Sequence, residues 1–176
     1  ARTYLGAEIT EVFADPASPQ SDSLDEFIEL YNPYDQTLAL DGYVIKTGTT
    51  WTHTFTITDS TVGPHEYVVF ASAQTHLSLS NTGSGVRLYD PSGTLLFEVP
   101  SYGKAQSGHA WVRDANGQWA WTTVPTPGAQ NVVSVPAAAV ASTAAKSQPK
   151  AKAAAKTSAA ATKKAATPKT SGSVKA

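Results

Sequence analysis

From Glu8 to about Trp121, short runs rich in Val, Ile, Tyr, Phe, Trp and Thr alternate with clusters of Gly, Pro, Asn and Asp, and no sustained helical period intervenes. Alternation at a period of two, broken by turn residues every few positions, predicts an all-β body. Strands are expected over residues 7–13, 25–31, 40–47, 52–57, 66–71, 77–79, 85–89, 94–99, 109–113 and 118–122. Within them, Val86 and Leu88 share one face. Tyr67-Val68-Val69-Phe70 is apolar on both faces and is therefore expected to be a central strand. Phe27, Glu29 and Tyr31 fall on one side of their strand and Glu26, Ile28 and Leu30 on the other, so each face mixes acidic and apolar groups.

The turns support this division. Asn32-Pro33, Asp41-Gly42, Gly63-Pro64, Asp90-Pro91-Ser92-Gly93 and Asn116-Gly117 each supply a residue suited to a tight reversal. Asn116-Gly117, between two tryptophan-bearing runs, predicts a hairpin with a two-residue loop, and a second hairpin is expected at Pro91-Ser92-Gly93. Pro125-Thr126-Pro127-Gly128 ends the last strand. Strands of this number and length close into a barrel or stack as two sheets, and periodicity does not separate the two. Beyond Asn131 the composition turns to Ala, Lys, Ser, Thr and Pro without an aromatic residue, which cannot build a core. The expected organisation is a folded body over 1–131 and a disordered basic tail over 132–176.

Charge sharpens that boundary. All fourteen acidic residues precede Asn131, against five basic ones, which leaves the body at −9. The tail carries Lys146, Lys150, Lys152, Lys156, Lys163, Lys164, Lys169 and Lys175. Such asymmetry marks an interaction tail, suited to a polyanion such as DNA or cell-wall polymer or, more plainly, to a solubilising spacer. Cysteine is absent, so neither disulfides nor thiolate metal sites are available. No apolar run approaches the roughly 18 residues of a membrane span. The opening Ala1-Arg2-Thr3 is what signal-peptide removal leaves, so export to the cell surface or medium is expected.

Candidate chemistry is sparse. Asp22, Asp25, Glu26 and Glu29 form the densest polar cluster and offer oxygen ligands for calcium, but the spacing is not that of an EF-hand and the plainer reading is solvated surface charge. Glu26 and Glu29 lie three apart on a strand and so face opposite sides, which weakens an acid–base pair. His53, His65, His76 and His109 lack the short spacing of a zinc site. Ser107-Gly108-His109 is no nucleophile elbow, and Gly83-Ser84-Gly85 opens no helix that would cradle phosphate. Trp119 and Trp121 share a strand face that Trp111 joins across the hairpin, as core packing or as an aromatic platform for sugar; the acidic body disfavours nucleic acid there.

The order of motifs adds a family. Ile9-Thr10-Glu11-Val12, Asp25-Glu26-Phe27-Ile28-Glu29-Leu30-Tyr31-Asn32-Pro33, Leu40-Asp41-Gly42-Tyr43-Val44-Ile45, Gly63 to Phe70, Leu77 to Gly83 and Trp119 to Asn131 together resemble the lamin tail domain family in its bacterial form. The resemblance implies an immunoglobulin-like β-sandwich, which decides against the barrel. It also implies an exported or surface-associated module without catalytic residues or a cofactor, which docks a protein or cell-surface ligand. A structural envelope role with the tail on a polyanion is the alternative, and a hydrolase using the acidic cluster a third. No heptad repeat accompanies the motifs, so the filament building of animal lamins is not implied.

Overall fold

The structure is a computed structural model, and it describes residues 3–134. Residues 135–176, with all eight tail lysines, lie outside the described residues, whereas Val132, Val133 and Ser134, the first three of the expected tail, lie within them. The described residues form eleven strands: β1 (Glu8–Phe13), β2 (Phe27–Tyr31), β3 (Leu38–Ala39), β4 (Val44–Thr47), β5 (His53–Thr56), β6 (Thr61–Val62), β7 (Tyr67–Ala71), β8 (Val86–Tyr89), β9 (Leu95–Val99), β10 (Ala110–Arg113) and β11 (Trp119–Thr122). Two single-turn helices, α1 (Asp22–Asp25) and α2 (Ser72–Thr75), interrupt them.

The strands pair antiparallel into a five-stranded sheet ordered β11-β10-β1-β2-β7, a four-stranded sheet ordered β5-β4-β8-β9, and the short pair β3-β6. Ile9, Val12, Ile28 and Leu30 from the first sheet and Ile45, Val86, Leu88 and Val99 from the second meet in one buried core. The result is the two-sheet, immunoglobulin-like sandwich that the alternation and the motif order imply.

Several boundaries differ from the sequence expectation, each for a local reason. The strand expected from residue 25 begins at Phe27, because Asp22–Asp25 coil into α1, where the Asp25 carboxylate accepts the Ser21 N–H at 2.8 Å. The strand expected from residue 40 begins at Val44, after a turn at Asp41-Gly42 with Gly42 at φ 82° and the Tyr43 N–H on Leu40 O. Residues 77–79 form no strand. Leu77 and Leu79 are buried, but side chains satisfy this main chain in place of a ladder: Glu26 accepts the Leu79 N–H and Thr47 Oγ1 donates to Ser78 O.

Both hairpins use one device. Asp90 Oδ1 accepts the N–H groups of Ser92 and Thr94, and Asp114 Oδ1 those of Asn116 and Gln118, with Gly93 and Gly117 at positive φ. The β10–β11 connection is thus a three-residue loop, Ala115-Asn116-Gly117, closed by Asp114 N–H on Gln118 O, and not the expected two-residue Asn-Gly turn. The carboxylate cap accounts for the extra residue.

The expected central strand 66–71 is β7, and it lies at an edge. Its two apolar faces have separate causes. Val68 and Phe70 pack on the main core, whereas Val69 and Ala71 pack with Phe13, Phe27, Ala110 and Val112 in a second cluster on the outer face of the five-stranded sheet.

Candidate functional site

The outer face of the five-stranded sheet gathers the polar chemistry of the molecule. A bulge in β1 between Ile9 and Glu11 shifts the register, so that Glu11 stands directly opposite Glu29 of β2 on this face. Both glutamates are fully buried. After β11 the chain turns back over them as a strap, residues 123–134, whose ends are tied by Thr123 N–H on Ser134 O and by Thr122 Oγ1 on Val132 O. Pro125 and Pro127 have no N–H. The two donors between and after them reach the two carboxylates: Thr126 N–H bonds Glu11 at 3.0 Å, and Gly128 N–H bonds Glu29 at 2.7 Å. Thr10 Oγ1 donates to the other Glu29 oxygen at 2.7 Å. Asn131 secures the strap from above, donating to Thr10 O and Arg113 O.

Burial pushes the Glu11 and Glu29 carboxyls up to about 7 each, against hydrogen bonds that favour the charged form, and the Glu11 charge raises Glu29 further. Glu26, on the opposite face of β2, is also buried and also raised by desolvation to about 7. Its Oε2 accepts from Leu79 N–H at 3.0 Å and Ser72 Oγ at 3.2 Å, at the floor of a cavity of about 330 Å³ beside Asp22 and His76.

The acidic cluster therefore does not act as one group. Asp22 is exposed and accepts from Asn81 Nδ2, and Asp25 caps α1, while Glu26 and Glu29 enter opposite sides of the fold. The reading of Glu26 and Glu29 as solvated surface charge is overturned, because main-chain donors brought by distant segments compensate their burial. Among the described residues, no group of three or more His, Cys, Asp or Glu is arranged to hold a metal ion. Glu11 was not singled out from sequence. Its signal was the alternating donors of Pro125-Thr126-Pro127-Gly128, which require two acceptors of matching spacing.

Trp111, Trp119 and Trp121 do come together. Trp111 lies 6.2 Å from Trp119 and 5.2 Å from Trp121, centroid to centroid, and all three half-buried rings pack against the main core. Trp111 Nε1 is buried without a partner among the described residues.

A further recess of about 320 Å³ opens on the outer face beside the strap. Glu8, Tyr31 and Arg113 line it with Tyr67, Asp114 and Gln130. Glu8 and Arg113 form an ion pair, and Tyr31 packs on Tyr67 with centroids 4.8 Å apart. Of the histidines, His65 contacts Tyr31 and Asp35.

Residues 3–104 match the model of a family described as Lamin Tail Domain, more than half of the chain. The match spans β1 to β9 and stops before β10, β11 and the strap. Neither a curated protein nor a solved structure matches the chain. No helix among the described residues is long and apolar enough to cross a membrane.

Proposed function

Because this chain belongs to the lamin tail domain family, a family of non-enzymatic immunoglobulin-like modules, we propose that it is an extracellular binding or scaffolding module. It docks a protein or surface ligand through its acidic sandwich and contacts polyanions through its basic tail. One observation carries the non-catalytic reading: each buried carboxylate holds a main-chain segment in place. Glu26 fixes the 77–79 segment, and Glu11 and Glu29 fix the strap. An acid or base tied into the fold in this way supports architecture. The extracellular placement rests on the resemblance of the motifs to those of exported bacterial members.

The tail reading rests on the charge division between a body at −9 and eight following lysines. Chains with and without residues 135–176, which hold all eight lysines and leave the strap whole, separate the roles. The shortened chain is expected to lose salt-sensitive retention on DNA or anionic cell-wall polymer and to keep specific binding to surface extracts. If it binds nothing specific, the structural envelope reading replaces this one. Metal-dependent cleavage of nucleic acid or glycan that disappears in Glu26→Ala would overturn the non-catalytic reading.

A further inference from the structure

The recess on the outer sheet face has a composition that selects its ligand. Register places Tyr67 of β7 opposite Tyr31 of β2, and Tyr31 opposite Glu8 of β1. The ion pair from Glu8 extends this row to Arg113 of β10. Tyr67, Tyr31 and Glu8 thus form a band across three neighbouring strands, and Arg113, which follows Val112 on β10 and also lies by Phe97, closes its end. The strap residue Gln130 and the hairpin residue Asp114 also line the recess.

The polar atoms are only partly committed. Asp114 uses Oδ1 to close its turn, and its Oδ2 has no partner among the described residues. The Tyr67 hydroxyl and the Gln130 amide likewise have none among the described residues, and Tyr31 has only His65. The Asp35 carboxylate accepts a hydrogen bond from His65 Nε2–H at 2.8 Å, so in the neutral ring Nδ1 accepts from the Tyr31 hydroxyl. The Tyr31 oxygen keeps its lone pairs for an incoming donor. The site thus offers acceptors, donors and ring faces together.

Charge excludes most other ligands. A body at −9, with Asp114 at the rim, repels phosphates and carboxylates. A cation would meet the Arg113 guanidinium, and the rings do not enclose one: they pack on each other at 4.8 Å with planes 36° from parallel, whereas an ammonium cage sets aromatic faces around the charge. An uncharged polyol suits both constraints, with its C–H face on the rings and its hydroxyls on the free polar atoms. At about 320 Å³ the recess has room for about one sugar ring, at the lower end of ligand pockets.

We infer that this recess binds one residue of a neutral glycan, with the packed Tyr31–Tyr67 pair as its aromatic wall and Gln130 and Asp114 as hydrogen-bonding partners. The inference rests on the binding-module reading and gives that module a ligand class.

The test is a printed array of neutral, anionic and cationic glycans probed with the full chain, followed by titration calorimetry on the best neutral hit. The expected result is binding to a neutral glycan that falls at least tenfold in Tyr67→Ala and severalfold in Gln130→Ala. It should be unchanged when the eight tail lysines become glutamine. Gln130 is exposed, so its substitution does not perturb folding, and a thermal melt checks Tyr67→Ala. Three results overturn the site: no neutral glycan is bound, binding survives both substitutions, or only anionic or only cationic glycans are bound. Each leaves the broader binding reading to its own test, the chain lacking 135–176.

Discussion

Glu29→Gln separates the charge of a buried carboxyl from its shape. The folded protein holds this proton up to about 7 instead of the ordinary 4.5, chiefly because burial disfavours the ionised form. The folded state therefore binds the proton more tightly than the unfolded chain. The associated stability is fully present below about 4.5 and is lost as pH rises to about 7. At about 1.4 kcal/mol per pH unit, ionising this group in the fold costs on the order of 3 kcal/mol above pH 7. Glutamine carries no charge at any pH. Its oxygen accepts the Gly128 N–H, and its amide donates to Thr10 Oγ1, whose hydroxyl reverses from donor to acceptor. At roughly 3 °C per kcal/mol for a body of this size, and with some loss from the exchanged hydrogen bonds, Glu29→Gln should melt about 5 °C or more above the parent at pH 8. At pH 5 it should melt at or slightly below the parent. Calorimetric melts of both proteins at pH 5, 6.5 and 8 measure this, and their difference removes every titrating group they share. Equal destabilisation at pH 5 and pH 8 would refute the reasoning, because the effect would then be one of shape.

Three further outcomes follow from single contacts. Asn32 is fully buried and donates to Gln36 O, Val62 O and Gly63 O while accepting the Tyr34 N–H, so Asn32→Ala should cost about 2–4 kcal/mol. Urea titration should show the lower midpoint with an unchanged slope. A Cβ at Gly85 would stand 2.8 Å from the Trp51 ring and 3.2 Å from Val99 O, so Gly85→Ala should destabilise by about 1–3 kcal/mol and alter the near-ultraviolet circular dichroism. Asn131→Ala removes two bonds that secure the strap, and hydrogen exchange should speed at Thr126 and Gly128 while Ile28 and Leu30 stay protected.

The core of the fold was legible in the sequence because it depends on alternation. Val86 and Leu88 face inward as their spacing requires, and the tryptophan hairpin brings Trp111, Trp119 and Trp121 together. The elements that escaped depend on contacts between distant segments. Leu77 and Leu79 have the alternation of a strand, yet their main chain bonds to Glu26 and Thr47, which no local pattern reveals. Tyr67–Ala71 has the composition of a central strand because the outer face bears its own apolar cluster. For Glu29, alternation gave the face but not its cover, which comes from a segment ninety-nine residues away.

The paired prolines of the strap fix its alignment by elimination. Two carboxylates on adjacent strands need donors two residues apart, and Pro125-Thr126-Pro127-Gly128 supplies them in a single phase. A slip that sets Pro125 and Pro127 in the places of Thr126 and Gly128 denies both carboxylates a strap N–H, at several kcal/mol, and a slip the other way sets Pro127 against Glu11 and denies one. One-residue slips are thus penalised by absent hydrogen atoms, with no steric clash required, and a short irregular segment acquires the in-phase or out-of-phase discrimination usually reserved for a β-ladder.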